Sequence, residues 1–256
     1  MPIFRMPNIT TLKSRFVILA APRSGSNMLC TMLASHPSIL CHHEIFNPDG
    51  IRLALQLRDT DFTLGTVAER EQDPLAFLDR VWSARLGFAC VGFKLTHRQN
   101  NAVFGRLLAD VSVAKIVLGR QNRLKTYVSL QISEALAEWE VYRAADLIRD
   151  RPLVHVEPQR FLERAAFDDA YYNEIRHAVA GQGHAWIEVL YEKLFTVAEQ
   201  HKILRFLGLD PPAGGLKIGS VKQNSSDLKD LVENYDELSR VFEGTPFEAE
   251  LKDCSP

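Results

Sequence analysis

Residues 16–27 read FVILAAPRSGSN, an apolar run followed by a polar turn that contains one glycine. A short, continuous apolar run is typical of a strand buried on both faces of a parallel sheet. Residues 27–33 have helical character, so strand, tight turn and helix form the opening of a β-α-β unit. Successive backbone N–H groups in such a turn attract a phosphate group, as does the positive end of the helix dipole.

The side chains of this turn also suit an anion. Gly25 lets the backbone approach a ligand closely, and Arg23 supplies a fixed positive charge. Ser24 and Ser26 offer hydroxyl donors. On position and composition alone, an anion site and a plain polar turn with an N-cap serine are equally good interpretations.

Two absences narrow the choice of ligand. A nucleoside-triphosphatase loop reads G-x-x-x-x-G-K-[ST], and the sequence has no such run. The strand predicted at 115–118 ends in Gly119-Arg120, where a magnesium site would usually have an acidic residue. A cation in that place suits a second phosphate group, so the loop and Arg120 together favour a polyanionic nucleotide bound without metal.

Strand and helix patterns alternate along the rest of the chain. We predict further strands at 38–42, 90–95, 115–118 and 185–190, and helices at 74–84, 158–179 and 197–207, with helical spacing between 120 and 139. This alternation predicts an α/β fold: one domain over residues 1–256, with a central, mostly parallel sheet flanked by helices and a flexible N-terminus at 1–14.

Composition excludes several classes of protein. The chain has 256 residues, 46% of them hydrophobic and 24% charged, which is ordinary for a globular protein. Its formal charge of −2 gives no positive field for nucleic acid. The four cysteines and eight histidines show no metal-ligand spacing, and no apolar run reaches the length of a membrane span. We therefore expect a cytoplasmic protein with no metal, no nucleic-acid partner and no transmembrane segment.

Four motifs, in this order, resemble those of the sulfotransferases that use 3′-phosphoadenosine 5′-phosphosulfate (PAPS). The nearest likeness is the bacterial carbohydrate group, which includes the nodulation-factor and trehalose sulfotransferases. The motifs are FVILAAPRSGSNMLCTMLASHPSILCHHEIFN at 16–47, KIVLGRQNRLKTYVSL at 115–130, VLYEKL at 189–194 and KQNSSDLKDLVENYDELSRVFEGTPF at 222–247. The resemblance implies a P-loop-like fold, PAPS as co-substrate and its desulfonated product, 3′-phosphoadenosine 5′-phosphate (PAP).

The resemblance also implies a set of donor-binding residues. In this set, the 5′-phosphosulfate is held by Arg23, Ser24, Gly25, Ser26 and Asn27. The 3′-phosphate is held by Arg120 and Ser129, with Arg123 as a substitute. Tyr191 contacts the adenine, and Lys222 and Gln223 lie in a loop over the nucleotide. Arg23 stands where the animal cytosolic enzymes usually have lysine.

Sulfuryl transfer is an in-line displacement that needs a stabilised leaving phosphate and one proton acceptor. Arg23 is placed for the first task. The E-x-F-N pattern that begins at Glu44 resembles the family's catalytic glutamate segment, so Glu44 is the expected general base, with burial raising its pKa. His42 and His43 are the rival bases. Lys94 either faces the sulfuryl group or reaches solvent from a strand end.

The acceptor is expected to be a hydroxyl group of a carbohydrate or glycoconjugate. Trp139 and Tyr142, predicted on one face of a helix, either stack on a sugar or belong to the core. A non-sugar metabolite is the alternative acceptor. A P-loop-type kinase and a non-catalytic PAPS-binding protein are alternatives of other classes. The oligomeric state stays open, with a homodimer as the candidate assembly.

Overall fold

The fold is given by a computed structural model that describes residues 12–97, 99–181 and 183–255. The strands are β1 (Arg15–Ala20), β2 (Ile39–His42), β3 (Cys90–Thr96), β4 (Ala114–Gly119) and β5 (Trp186–Leu190). The α-helices are α1 (Ser26–Ala34), α2 (Val67–Gln72), α3 (Pro74–Ser83), α4 (Asn101–Ala109), α5 (Arg123–Leu136), α6 (Pro158–Val179), α7 (Val197–Leu207), α8 (Tyr235–Val241) and α9 (Pro246–Lys252).

The five strands form one parallel sheet in the order β2-β3-β1-β4-β5. This confirms the predicted α/β architecture with a central parallel sheet flanked by helices. The order places β2 and β3 on one side of β1, and β4 and β5 on the other. In open α/β sheets, ligands bind beyond the carboxyl ends of the strands, where the strand order changes direction. The junction between β1 and β4 is that place.

Alternate side chains of β1 point into two apolar layers. Val17 and Leu19 pack with α3, α4 and α6, whereas Phe16 and Ile18 pack with α1 and α7. A third apolar cluster joins α5 and α6 to α8 and α9. Gly92 of β3 lies against Phe16, and a Cβ atom there would be 2.4 Å from the Phe16 ring, so this position requires glycine. The two layers hold β1 in the centre of the sheet.

Several helix boundaries follow from capping residues that the sequence displays. The Asp73 carboxylate accepts a hydrogen bond from Ala76 N at 2.9 Å, and Pro74 occupies the first position of α3. Gly208 ends α7 in the left-handed conformation with a φ of 77°. Helix α6 has the predicted bounds of 158–179.

The structure corrects one predicted helix and adds four others. The helical stretch expected to reach Trp139 ends at Leu136, because Ala137 adopts a left-handed φ of 51°. Trp139 and Tyr142 therefore lie in irregular chain and do not share a helix face. Helices α2, α4, α8 and α9 were not predicted.

The start of the described chain is tied to the sheet. Lys13 N donates a hydrogen bond to Leu207 O at 2.9 Å, and Ser14 O accepts one from Val91 N at 3.0 Å. The predicted flexible N-terminus falls mainly on residues 1–11, which lie outside the described residues. None of the helices in the described residues has the length and apolar character that crossing a membrane requires.

The segment that follows β2 is held by one buried arginine of α2. Arg70 Nη1 donates hydrogen bonds to the backbone oxygens of Ile45 (2.8 Å), Asn47 (2.8 Å) and Gly50 (3.2 Å). The Arg70 side chain is fully buried, and it pairs with Glu71 at 2.8 Å. Because three carbonyl groups share one donor, this arginine fixes the path of the chain immediately after Glu44.

We expect Arg70→Met to lower the free energy of unfolding by about 2 to 4 kcal/mol, since three backbone carbonyls lose their donor. Urea unfolding followed by circular dichroism measures the change. Arg143→Met is the matched control, because Arg143 is exposed and its ion pair is with Asp146, three residues along on the surface. Equal unfolding midpoints for the two variants would contradict the role given to Arg70.

Candidate functional site

A cavity of about 870 Å³ opens at the carboxyl ends of β1, β3 and β4. This volume is within the range that holds a nucleotide-sized ligand. Of the residues predicted for the site, those that line the cavity are Arg23, Gly25, Ser26, Asn27, Glu44, Lys94, Arg120, Ser129, Tyr191, Lys222 and Gln223. The structure therefore brings together residues from both halves of the sheet and from the segment after α7.

The loop between β1 and α1 is shaped by two residues in the left-handed conformation. Arg23 has a φ of 64° and Gly25 a φ of 87°. A Cβ atom on Gly25 would lie 2.2 Å from Cδ2 of Tyr191, so glycine is required both for its conformation and for the close approach of the Tyr191 ring. As the N-cap residue, Gly25 has no side chain to cap α1. The first N–H groups of α1 therefore keep their capacity to bind an anion.

Of the five residues predicted to hold the 5′-phosphosulfate, Ser24 is the one that does not line the cavity. It is buried, and its hydroxyl donates a hydrogen bond to Ala21 O at 2.8 Å, inside the turn. The Ser24 hydroxyl thus stabilises the loop and is not directed at a ligand in this conformation.

Four cations converge on one part of the cavity: Arg23, Arg120, Lys125 and Lys222. Arg120 Nη1 donates a hydrogen bond to Arg23 O at 3.4 Å, and the Arg120 guanidinium lies 4.6 Å from the centre of the Tyr191 ring. The Arg120 Nε atom is buried with no hydrogen-bond partner among the described residues. An unpaired buried donor beside other cations fits a polyanionic ligand.

The pKa values record this crowding of like charges. Burial, together with the neighbouring Arg120, lowers the pKa of Arg23 to about 10. Burial also lowers the pKa of Lys222, to which Lys125 and Arg120 contribute repulsion. The pKa of Lys125 is lowered by burial and by Arg120, against the opposing effect of Asp253. A bound polyanion would relieve this repulsion.

The Arg23 side chain extends from the loop toward α5 and the segment after α7. Its Nε donates to Ser129 Oγ at 3.0 Å, its Nη1 to Trp139 O at 2.7 Å, and its Nη2 to Gln223 Oε1. Asn224 Nδ2 donates a second hydrogen bond to Ser129 Oγ at 3.1 Å. Arg23 and Ser129, predicted at two different phosphate groups, are therefore in direct contact.

Arg123, predicted as a substitute for the 3′-phosphate site, lies elsewhere. Its Nε pairs with Glu250 at 3.1 Å and its Nη1 with Asp169 at 2.9 Å, and it does not line the cavity. Lys125, two positions further along α5, lines the cavity instead. The helix turns Arg123 toward α6 and α9, so its position gives no support to that role, and the role stays a prediction.

Glu44 and Lys94 form the centre of the other part of the cavity. Lys94 Nζ lies 2.6 Å from Glu44 Oε1 and donates to Asn27 Oδ1 at 2.6 Å. Glu44 Oε2 accepts hydrogen bonds from Asn47 Nδ2 at 2.6 Å and from Gln99 Nε2 at 2.8 Å. Lys94 is only 3% exposed, so the alternative that it reaches solvent is wrong.

The expected rise in the pKa of Glu44 is not observed. Burial alone would raise this pKa, but the Lys94 ammonium and the hydrogen bonds from Lys94, Asn47 and Gln99 outweigh burial and lower it. The carboxylate is therefore held in its ionised form, ready to accept a hydrogen bond, and it becomes a stronger base only where Lys94 is drawn away.

The two histidines proposed as rival bases differ in position. His42 is fully buried, does not line the cavity, and its Nδ1 accepts a hydrogen bond from Ala54 N at 3.2 Å. Burial lowers the pKa of His42 to about 4. His43 does line the cavity, and its Nδ1 lies 3.2 Å from both Asn27 Oδ1 and Tyr142 Oη. Burial and the nearby Lys94 hold the pKa of His43 well below its usual value, so the ring is neutral.

A second acidic group, missed in the sequence, lines the cavity beside His43. Glu140 forms a two-point ion pair with Arg58 (2.6 and 3.3 Å) and accepts a hydrogen bond from Tyr142 Oη at 2.5 Å. Trp139 lies on the rim and is 49% exposed, so it is not a core residue. Tyr142 is held by Glu140 and is not arranged side by side with Trp139 on a helix.

Other residues of the cavity were also missed. Lys125 and Asn224 both fall within motifs already quoted, but the motif at 115–130 contains Arg123 as well as Lys125 and does not tell them apart. Gln99 follows β3, where no motif draws attention to it. Over residues 12–97, 99–181 and 183–255, no group of three or more His, Cys, Asp or Glu side chains is arranged to hold a metal ion.

The fold and the cation cluster define an α/β protein with a cation-lined cavity at the point where its strand order changes direction. No protein-family model matches the chain. Nodulation protein H of Rhizobium tropici is 27% identical to it over 250 residues, which cover 94% of this chain and 94% of that protein. This match confirms the resemblance to the nodulation group, and the predicted enzyme class, a PAPS-dependent sulfotransferase, agrees with it.

Two solved structures are more distant. A sulfotransferase from Alicyclobacillus acidocaldarius superposes with a TM-score of 0.49 at 19% identity, covering 93% of this chain and 94% of that chain. The mouse sulfotransferase SULT7A1, complexed with PAP, superposes with a TM-score of 0.39 at 16% identity, covering 90% of this chain and 67% of that chain. Residue roles therefore rest on this chain's own contacts.

The lowered pKa of Glu44 makes a prediction about stability. A carboxyl group whose folded pKa lies below its unfolded value adds stability above the unfolded pKa, and this stability is lost as the pH falls through the folded pKa. We expect Glu44→Gln to lower the free energy of unfolding by about 1 to 3 kcal/mol at pH 7, because the buried Lys94 ammonium loses its charged partner and keeps only the hydrogen bond to Asn27 among the contacts described above. The difference from the unsubstituted protein should shrink below about pH 4.

Urea unfolding at pH 7, 5 and 3.5 measures this dependence. Glu163→Gln is the control, since Glu163 is exposed and accepts a hydrogen bond from Gln159 of its own helix. A difference between Glu44→Gln and the unsubstituted protein that stays constant across the three pH values would contradict the assignment.

Proposed function

We propose that this protein is a PAPS-dependent sulfotransferase that transfers the sulfuryl group to a hydroxyl of a carbohydrate or glycoconjugate. The observation that carries the proposal is the meeting of two cation-bearing strand ends in one cavity. Arg120 at the end of β4 hydrogen bonds to the backbone of Arg23 in the loop after β1. A nucleotide with phosphates at two ribose positions needs two neighbouring anion sites.

In this proposal, the loop and α1 hold the 5′-phosphosulfate. The N–H groups at the start of α1 are uncapped, and Arg23 adds the positive charge that stabilises the leaving phosphate. Arg120, Lys125 and Lys222 take the 3′-phosphate, with the Ser129 hydroxyl as a further donor. Phosphate oxygens then replace the present contacts among these side chains.

Tyr191 is the proposed contact for the adenine. Its ring is packed against Gly25 and Arg120, and it lines the cavity between the loop and the cation cluster. An aromatic ring fixed in this way offers a flat apolar surface to a base. Lys222 and Gln223 cover the same part of the cavity from the segment after α7.

The proposed reaction needs Lys94 and Glu44 as a pair. The oxygens of the sulfuryl group draw the Lys94 ammonium away from the carboxylate, and the pKa of Glu44 then rises. Glu44 accepts the proton of the acceptor hydroxyl as its oxygen bonds to sulfur. The bond between sulfur and the phosphate oxygen breaks, and PAP leaves with the electron pair. Arg23 and the loop amides stabilise the charge on the leaving group.

The acceptor is proposed to enter beside Glu140 and Trp139. A carboxylate fixed by Arg58 is suited to accept hydrogen bonds from sugar hydroxyls, and the exposed Trp139 ring is suited to stack on a sugar face. The similarity to nodulation protein H supports a glycoconjugate, with a non-sugar metabolite as the alternative. Cys30, Cys41 and Cys90 are free, buried thiols, which supports a cytoplasmic location.

Titration calorimetry with PAP and with ATP tests donor binding. We expect PAP to bind more tightly than ATP, and Arg120→Ala to weaken PAP binding about 10- to 100-fold, because a buried charge-assisted contact is lost. Arg123→Ala is the matched control, since Arg123 lies three positions away and points out of the cavity. Tighter binding of ATP, with turnover that depends on magnesium, would instead indicate a kinase.

Release of PAP in the presence of carbohydrate acceptors tests the base. We expect Glu44→Ala to lower kcat at least about 100-fold, the usual contribution of a general base, while PAP affinity changes little. Full activity in Glu44→Ala, with loss in His43→Asn, would transfer the role to His43. PAP binding without turnover on any acceptor in the unsubstituted protein would indicate a non-catalytic PAPS-binding protein.

A further inference from the structure

A tyrosine of α6 connects the two strands whose ends carry the anion-binding groups. The Tyr172 hydroxyl donates a hydrogen bond to Leu118 O of β4 at 2.7 Å. It also accepts one from Ala21 N, immediately after β1, at 2.9 Å. One side-chain oxygen therefore joins the backbone that leads into Arg23 to the backbone that leads into Arg120.

This contact lies where the two strands separate. The pairing of β1 with β4 ends at Ala20 and Leu118, whereas β4 continues to pair with β5 through Gly119. Beyond this point a side-chain hydroxyl bonds to both main chains. A hydroxyl placed between two strands keeps them further apart than a direct N–H to C=O bond would.

Tyr172 acts from outside the donor cavity. It does not line that cavity, but it lines a smaller one of about 300 Å³ together with Ser24 and with Arg120, which lines both cavities. Burial raises the pKa of Tyr172 to about 12, so its hydroxyl stays protonated and can donate to Leu118 O at physiological pH. Tyr172 therefore acts on a ligand in the donor cavity through the backbone of the two strands that it bonds and through the loop that carries Ser24, not by direct contact.

We propose that Tyr172 is a positioning residue, whose hydroxyl sets the separation between the Arg23 loop and Arg120 and so matches the site to a nucleotide with two separate phosphate groups. This inference rests on the proposed function, because it assumes that one ligand bridges both anion sites. A ligand with a single phosphate engages one site and does not depend on the separation. A bisphosphate gains its additional affinity only when both sites are correctly spaced.

The test compares three nucleotides: PAP, adenosine 5′-monophosphate and adenosine 3′-monophosphate. Calorimetry gives the dissociation constant of each for the unsubstituted protein, Tyr172→Phe and Tyr127→Phe. Tyr127 is the matched control, because it lines the same smaller cavity and the hydrogen bond found for its hydroxyl comes from Gln131. We expect Tyr172→Phe to weaken PAP binding about tenfold and to change the affinity for each monophosphate less than about twofold.

The outcomes separate this inference from the proposed function. If the unsubstituted protein does not prefer PAP to ATP and to the two monophosphates, the proposed function fails and the inference fails with it. If the unsubstituted protein prefers PAP and Tyr172→Phe keeps that preference in full, only the inference is overturned. Equal weakening of all three nucleotides also overturns it, because a loosened fold would act on each ligand alike.

If a variant is too unstable for calorimetry, thermal unfolding with and without each nucleotide gives the same comparison of affinities. The rise in Tm that each nucleotide produces reports its affinity for the folded protein at low protein concentration. For Tyr172→Phe we expect the rise produced by PAP to fall toward that produced by either monophosphate. For Tyr127→Phe the rise produced by PAP should stay as large as in the unsubstituted protein.

Discussion

The site depends on the crowding of cations that the fold brings into one part of the cavity. One part of the cavity is lined by Arg23, Arg120, Lys125 and Lys222. Burial and repulsion from neighbouring cations lower the pKa values of Arg23, Lys125 and Lys222, whereas burial alone lowers the pKa of Arg120. The sheet holds two of these cations in place, because they follow β1 and β4, which are neighbouring strands. The folded chain thus stores an unfavourable electrostatic energy that a polyanion can offset.

Contacts with other side chains hold this cluster of cations in place. Gly25 admits the Tyr191 ring, on which the Arg120 guanidinium rests, and Ser129 receives hydrogen bonds from Arg23 and Asn224. Residues 250–255 support α5 from outside: Glu250 accepts hydrogen bonds from the first N–H groups of the helix, and Ser255 O accepts one from Lys125. Segments that are far apart in the sequence therefore fix the positions of the cations.

The sequence predicted what depends on local pattern. The buried strands are continuous apolar runs, and Asp73 and Gly208 display helix boundaries directly. Helices α2 and α9 were missed although each has a readable cap, in Thr66 with Glu69 and in Thr245 with Pro246, because their apolar periodicity is short. The position of the loop after β1 and of Arg120 after β4 could be predicted because strand ends of a parallel sheet meet at one edge, whereas Ser129, Tyr191, Lys222 and Gln223 were predicted only from the resemblance to the sulfotransferases.

What the sequence could not predict depends on contacts between distant segments. The pKa of Glu44 is set by Lys94 of β3 and by Gln99, which stand about fifty residues further along the chain. Nothing local indicates whether Arg123 or Lys125 faces the cavity, because the answer depends on where α6 and α9 pack. The bridge formed by Tyr172 likewise joins a helix to strands more than fifty residues before it.

The Glu44–Lys94 ion pair has a consequence for the order of events in catalysis. While the Lys94 ammonium pairs with the Glu44 carboxylate, the pKa of Glu44 stays low. An acceptor alcohol that binds before the donor therefore finds Glu44 too weak a base to take its proton. Under the proposed mechanism, only the donor can release Glu44, since only the sulfuryl group competes for Lys94. The enzyme would then follow a compulsory sequence of substrate addition, donor before acceptor, enforced by charge without any moving lid.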